Sequence, residues 1–214
     1  MAVPGSRGEH ALQERFGTKG RAAAFYHNQM LDHLNAAMRA FMAQQEMVFI
    51  ATADAHGACD GSFRAGVPGF VRVLDAKTLL YPEYRGNGVL ASLGNIAENP
   101  HIGLFFVDFF QSTVGLHING TAQILENDAI LLCRPDVPEA VRQDMAVVGG
   151  RKPERWVMVQ VEEAYIHCSK HIPLLKHVEK TIHWGTDDPA CKGSDYFQAK
   201  KSPRPWDART KQES

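Results

Sequence analysis

Apolar residues recur at roughly helical spacing through residues 21–45, at Phe25, Leu31, Leu34, Met38 and Phe41, and this period predicts an amphipathic helix with one buried face. Beyond it the pattern becomes that of strands. Residues 47–54 form a short apolar run that ends in the turn-forming stretch 55–61, so a first strand and a hairpin-like reversal are expected. Residues 69–74 and 78–82, separated by Asp75, Ala76 and Lys77, predict a second hairpin, in which Pro82, lacking an N–H to donate, ends the pairing. Residues 89–98 put Leu90, Leu93 and Ile96 on one face of a short helix stopped by Asn99 and Pro100. Residues 101–110 are too continuously apolar for an exposed strand and are expected at the centre of a sheet. In residues 115–125, Leu116, Ile118, Ala122 and Ile124 alternate with His117, Asn119, Thr121 and Gln123, a period of two that predicts a strand with one face in the core. A Pro-containing stretch with room for a short helix then leads to a last long strand at residues 156–168. Several strands joined by short turns, with few helices between them, predict a mainly β fold: an antiparallel barrel with flanking helices, not a doubly wound parallel sheet.

The ends of the chain lack this patterning. Gly5, Gly8, Gly17 and Gly20 interrupt a mostly polar stretch, so residues 1–20 read as a mobile N-terminal arm. Pro189, Pro203, Pro205 and many charges make residues 187–214 an irregular C-terminal tail, which leaves residues 21–186 as one domain. With 23 basic and 24 acidic side chains and a net charge of -1, the chain offers no bulk electrostatic case for nucleic acid or a membrane surface, so any anion site must be local. The first twenty residues have no apolar core of a secretory signal, and no apolar stretch is long enough to span a bilayer. Cys59, Cys133, Cys168 and Cys191 are widely spaced and form no C-x-x-C pair; a reduced, cytoplasmic setting is the expectation.

The richest chemistry lies in residues 63–100, where an Arg and several Gly residues stand beside two short strands and a Gly86-Asn87-Gly88 turn leads into a helix. Gly lets main chain approach a ligand closely, and unpaired N–H groups at a helix start attract anions, so this layout suits a phosphate-bearing cofactor. The planar guanidinium of Arg64 can grip two phosphate oxygens, with the Ser62 hydroxyl on the same side; read alone, Arg64 is equally a surface residue of a Gly-rich turn. Ser92 and Asn95 share one helix face, which suits either a ligand or local backbone bonding.

The order of S-x-R-x-G at residues 62–66, PGFV at 68–71, LLYP at 79–82, the GN turn at 86–87, S-x-x-N at 92–95, ENP at 98–100, IGLFFVDF at 102–109 and L-x-I-N-G-x-A at 116–122 resembles the pyridoxamine 5'-phosphate oxidase-like family. The resemblance covers about residues 46–126, with further agreement in YIHCSK at 165–170. It implies a six-stranded FMN-binding split barrel that forms a homodimer with the cofactor at the subunit interface. By position, Ser62 and Arg64 would approach the phosphate or ribityl chain, Tyr81 and Pro82 would lie beside the flavin, and Asn87, Ser92 and Asn95 would complete the phosphate and ribityl end. His117, where many relatives carry Arg, would face the ring, and Lys170 would reach the cofactor from the neighbouring subunit. The basic pair near the helix start and the C-terminal Arg motif of the genuine oxidases have no counterpart here, so flavin binding is implied without vitamin B6 oxidation.

Two other groups of residues have competing readings. His167, Cys168, His171, His177 and His183 are of metal-ligating type, but Pro173 interrupts any regular helix and no second Cys completes a zinc set, so packing near a dimer seam is favoured and no metal site is assigned. Phe105, Phe106, Phe109 and Phe110 suit core or interface better than a wall for a planar ring, and Asp108 among them is either a buried carboxylate or the mark of a strand end. The expected activity is that of an FMN-dependent oxidoreductase acting on a small molecule, in which the flavin carries the redox chemistry and no catalytic side chain is assigned. The alternatives are flavin binding or storage without turnover, a deazaflavin-dependent reductase, and a scaffold whose pocket holds no cofactor.

Overall fold

The computed structural model describes residues 3–204 and residue 206. Eight strands form one antiparallel sheet that curls into a split barrel, in the order β3-β2-β6-β7-β8-β5-β4, with β1 also paired to β8. The six long strands are β2 (Met47–Ala53), β3 (Cys59–Ala65), β5 (Thr78–Glu83), β6 (His101–Val107), β7 (Gly115–Leu125) and β8 (Arg155–His167); β1 (Met30–Leu31) and β4 (Arg72–Val73) have two residues each. The helices are α1 (Arg7–Arg15), α2 (Lys19–Gln29), α3 (Ala36–Met42), α4 (Ala91–Glu98), α5 (Asn127–Cys133) and α6 (Glu139–Ala146). None of them is long and apolar enough to cross a membrane.

The alternation seen along the chain becomes burial across the sheet. Val48, Ile50, Leu104, Phe106, Leu116 and Ile118 are buried in the main core, while Phe49, Phe105 and His117 lie on the outer face. A second, smaller core forms where Leu80 and Trp156 meet Ile130 of α5 and Val141 of α6. The strands β5 and β8 therefore carry apolar residues on both faces, and all six residues of β5 are buried. The indole N–H of Trp156 donates to the Asn127 side-chain oxygen at 2.8 Å, which satisfies the one polar group of a side chain otherwise surrounded by hydrocarbon.

Several sequence expectations are corrected. The single helix expected over residues 21–45 is two, α2 and α3, because Met30 and Leu31 instead pair with Tyr165 and Ala164 of β8 and the Asn35 side chain caps a new helix by accepting from the Met38 N–H at 2.9 Å. Tertiary pairing outweighs helical periodicity there. Within the expected N-terminal arm, Ser6 and Glu9 form a capping box that starts α1, although none of its residues is buried. Pro82 does not end the pairing of β5, which continues to Trp156 and Arg155 on the β8 side; β4 pairs only with Leu79 and Leu80, so the absent N–H of Pro82 deprives no neighbour. Two helices, α5 and α6, fill the Pro-containing stretch expected to hold one. The Asp108 carboxylate terminates β6, accepting from the backbone of Phe110, Gln111 and Ser112; burial would raise its pKa, but these bonds together hold it below the usual carboxylate range. Residues 1–2 of the expected arm, and residue 205 and residues 207–214 of the expected tail, lie outside the described residues.

Candidate functional site

A groove of about 880 Å3 opens beside the edge strand β3, between the loop that follows β5, the start of α4 and the start of β8. Asp60, Ser62 and Arg64 reach it from alternate positions of β3, and Gly86, Asn87 and Gly88 form its rim. Arg64 therefore stands within a strand, not after a loop as the Gly-rich sequence suggested. At the far side α4 is preceded by Leu90, whose backbone is left-handed (φ 58°) and which supplies no side-chain cap. The first-turn N–H groups of α4 are thus left without an intrahelical partner beside the groove, in the arrangement that favours a negative charge. The left-handed Leu90 is a local strain of the sort that gathers at binding sites. The helix itself is fastened down by polar bonds: Ser92 Oγ donates to Asp60 at 3.0 Å, and Asn95 Nδ2 donates to Thr52 Oγ1 at 3.0 Å.

The charges of the groove are paired. Arg64 donates through Nε to Glu83 at 2.7 Å, and through Nη1 to Ser62 Oγ at 2.7 Å and to the Phe63 carbonyl oxygen at 3.0 Å. The side chains of Arg64 and Glu83 are only 19% and 11% exposed. Because β3 ends the strand order and β5 stands next to its other end, this ion pair joins strands that are not hydrogen-bonded neighbours and closes the split of the barrel. Arg85 pairs with Asp187, and Arg155 stands 4.0 Å from Glu154. The aromatic side chains of Tyr84 and Trp184, in edge contact at 5.5 Å, complete the lining on the loop side. Burial, with Asp144 nearby, pushes the Tyr84 hydroxyl above its ordinary pKa.

Of the residues singled out by sequence, Ser62, Arg64, Asn87 and Ser92 meet in this groove. Asn87 spends its side-chain oxygen on the Val89 N–H at 2.9 Å, shaping the turn, and Asn95 braces α4 behind the groove. Tyr81 and Pro82 are buried in β5 and do not line it. Tyr81 is fully enclosed, its hydroxyl without a hydrogen-bond partner among the described residues, and burial raises its pKa far beyond the ordinary range. Lys170 is exposed in a short 3-10 turn beyond the opposite end of β8 from Arg155. Tyr84 and Arg85 were legible as an aromatic and a cation directly before the Gly-rich turn; Arg155, Trp184 and Asp187 come from distant parts of the chain and carry no local signal.

His117 lies on the opposite face of the sheet from Ser62 and Arg64. Cross-strand pairing aligns Phe63, Phe49, Phe105, His117 and Tyr165 in a row over five strands, with Phe25 edge-on to Tyr165. The His117 ring stacks against Phe105 at 4.3 Å and Tyr165 at 4.8 Å, and its Nε2 lies 3.1 Å from Nδ1 of His167, where one nitrogen donates and the other accepts. Phe49 and Phe63 are 41% and 50% exposed, so the row forms an apolar outer face that is open in the single chain. Among the described residues no three His, Cys, Asp or Glu side chains gather to hold a metal ion. Burial, reinforced by His167, lowers the pKa of His117. The unfolded chain then takes up the proton first as pH falls, so the stability associated with neutral His117 is present above the unfolded value of about 6.5 and is lost on acidification through the lower folded value. Thermal unfolding measured across this range is expected to show the melting temperature falling toward acid, with a flatter profile in His117→Gln; parallel profiles for the two proteins would count against this account.

A family model described as pyridoxamine 5'-phosphate oxidase matches residues 34–168. No curated protein matches the chain. Among solved structures, similarity is found to HupZ of Group A Streptococcus (24% identity, TM-score 0.47, covering 63% of this chain and 99% of that one). It is found also to HutZ, described as a heme storage protein, of Vibrio cholerae (14% identity, TM-score 0.39, 60% and 90% coverage). A third is an FAD-binding protein of Mesorhizobium loti (11% identity, TM-score 0.42, 64% and 96% coverage). The family model spans more than half of the 214 residues, including every strand of the sheet except β1, and the chain belongs to the pyridoxamine 5'-phosphate oxidase-like family.

Proposed function

We propose that the chain binds FMN in the groove beside β3 and acts as an FMN-dependent oxidoreductase on a small molecule. The observation that carries this reading is the uncapped start of α4, which opens into a groove lined by Arg64, Arg85 and Arg155 and by the aromatic residues Tyr84 and Trp184. A phosphate suits the first set, and a planar ring suits the second. The volume lies within the range of about 300–1,000 Å3 common for small-molecule and cofactor sites. Ser62, Asn87, Ser92 and the remaining edge of Arg64 would hold the phosphate and ribityl end, while Asn95, Tyr81 and Pro82 would support that surface from behind. A bound flavin would supply hydride or electron transfer, and the protein would hold it, orient it and exclude water.

The partner in this reading is a second copy. The half-exposed row from Phe63 to Tyr165 needs an apolar cover, and a homodimer built on that face would bring His117 and Lys170 of one copy toward the groove of the other. Flavin binding should then stabilise the dimer.

The decisive experiment is the absorption spectrum of the purified protein, with mass identification of the released cofactor and sedimentation at several protein concentrations. FMN in a dimer is the expected result. A deazaflavin, a haem or an empty site would overturn the cofactor assignment, and a monomer that binds FMN tightly would overturn the partner. Bleaching by a reduced nicotinamide distinguishes an oxidoreductase from a flavin store.

A further inference from the structure

After β8 the chain returns to the groove at residues 184–187. Residues 172–183 have no helix or strand, and Trp184, Gly185 and Asp187 then line the same cavity as Arg64 and Asn87. Backbone packing and an ion pair hold this strap beside the groove. Its backbone crosses that of Gly150 so closely that a Cβ on Gly150 would overlap the Trp184 carbonyl oxygen, and one on Gly185 would come within 2.7 Å of the Gly150 carbonyl oxygen. Asp187 pairs with Arg85 and, at 3.2 Å, with Lys192.

Arg85 directly precedes the Gly86-Asn87-Gly88 turn, and Asp187 is its one ion-pair partner among the described residues. Arg64, in contrast, is held by three bonds within the protein. We propose that Asp187 is a built-in competitor for the phosphate of the cofactor: its carboxylate occupies Arg85, and a phosphate-bearing ligand enters by displacing it. The proposal rests on the flavin reading of the groove. The side chains of Arg85 and Asp187 are each 59% exposed, so their attraction is screened and easily exchanged. A phosphate carries more negative charge than a carboxylate and offers three strong acceptor oxygens. The glycine crossing keeps Asp187 close while it is displaced, so the competition is intramolecular and persists at any protein concentration.

The test is titration of FMN and riboflavin into cofactor-free wild type, Asp187→Asn, Asp187→Ser, Arg85→Gln and the Arg85→Gln/Asp187→Asn double variant, followed by flavin fluorescence at low ionic strength. Removing the carboxylate is expected to tighten FMN about fivefold and leave riboflavin unchanged, with the gain shrinking as salt rises. Both substitutions at Asp187 should show it, and it should vanish when Arg85 is replaced. Equal FMN affinity in wild type and both Asp187 variants would overturn the competitor while leaving the flavin site in place. An equal gain for FMN and riboflavin, or a gain that survives without Arg85, would overturn it too. Failure of every protein to bind either flavin would overturn the flavin reading and the competitor with it.

Discussion

Arg64→Ala is expected to lower the unfolding free energy by about 3 kcal/mol, because it strands the Glu83 carboxylate in the split of the barrel. Glu83 is 11% exposed and its partner 19%, and the 2.7 Å bond between them is the ionic link from β3 to β5. Breaking a buried pair from one side costs more than the pair contributes, since the remaining charge keeps its desolvation penalty and loses its compensation. Arg64→Met combined with Glu83→Gln should therefore recover most of the loss, and Arg64→Lys should fall between, as an ammonium keeps the charge without the fork that reaches Glu83, Ser62 and the Phe63 carbonyl together. Urea unfolding of wild type, Arg64→Met, Glu83→Gln and their double variant, analysed as a double-mutant cycle, measures this coupling, with Arg64→Ala and Arg64→Lys unfolded beside them. A single variant within about 0.5 kcal/mol of wild type would return Arg64 to the role of an ordinary surface residue. The structural role also changes how a loss of FMN affinity in Arg64→Ala should be read: weakening toward riboflavin as well as FMN would report the opened split, and only a selective loss of FMN would report the phosphate.

Gly120→Ala should be more severe, at about 4 kcal/mol or more, a large share of a total stability of about 5–15 kcal/mol. Gly120 lies in β7 where the register with β8 slips: Asn119 opposes Glu163 and Gly120 opposes Val161. A Cβ there would overlap the Gln160 carbonyl oxygen and come within 3.3 Å of the Val161 Cα, all of it main chain with no side-chain freedom to yield. Either β8 moves, breaking bonds on two sides because it pairs with β7 and β5, or the register shifts and β7 turns its apolar set outward. The neighbouring Gln123→Ala, at an exposed position of the same strand, is the control and should be nearly neutral. Soluble yield, circular dichroism and urea unfolding would decide the matter; a folded Gly120→Ala protein within about 1 kcal/mol of wild type would show that the sheet can yield at this point.

Much of this could be read along the chain because the information is local. The period of two in residues 115–125 corresponds to β7, the continuous apolar run at 101–110 contains the central β6, and the Gly86-Asn87-Gly88 turn precedes α4. The residues on either side of that turn could be read as a local cluster, but they share one groove with Ser62 and Arg64 only because the sheet curls and brings β3 beside β5. Ser6 and Glu9 were also legible, as a capping box with the spacing that starts a helix, and the Gly residues around them obscured it.

Along the chain, alternation and turn chemistry determine a mainly β fold and the position of its Gly-rich anion-favouring turn, since side-chain direction in a strand follows from neighbouring residues alone. Which side chains become partners was decided only in three dimensions. Arg64 meets Glu83, Arg85 meets Asp187, and His117 meets His167, pairs separated in sequence and brought together by strand order and by the return of residues 184–187 to the groove. Residues 30–31, helical in period, became a strand because β8 offered an unpaired edge. A charge or a hydrogen-bonding group has no fixed role in a sequence: its role depends on what stands within a few ångströms of it and on how much water the fold leaves between them.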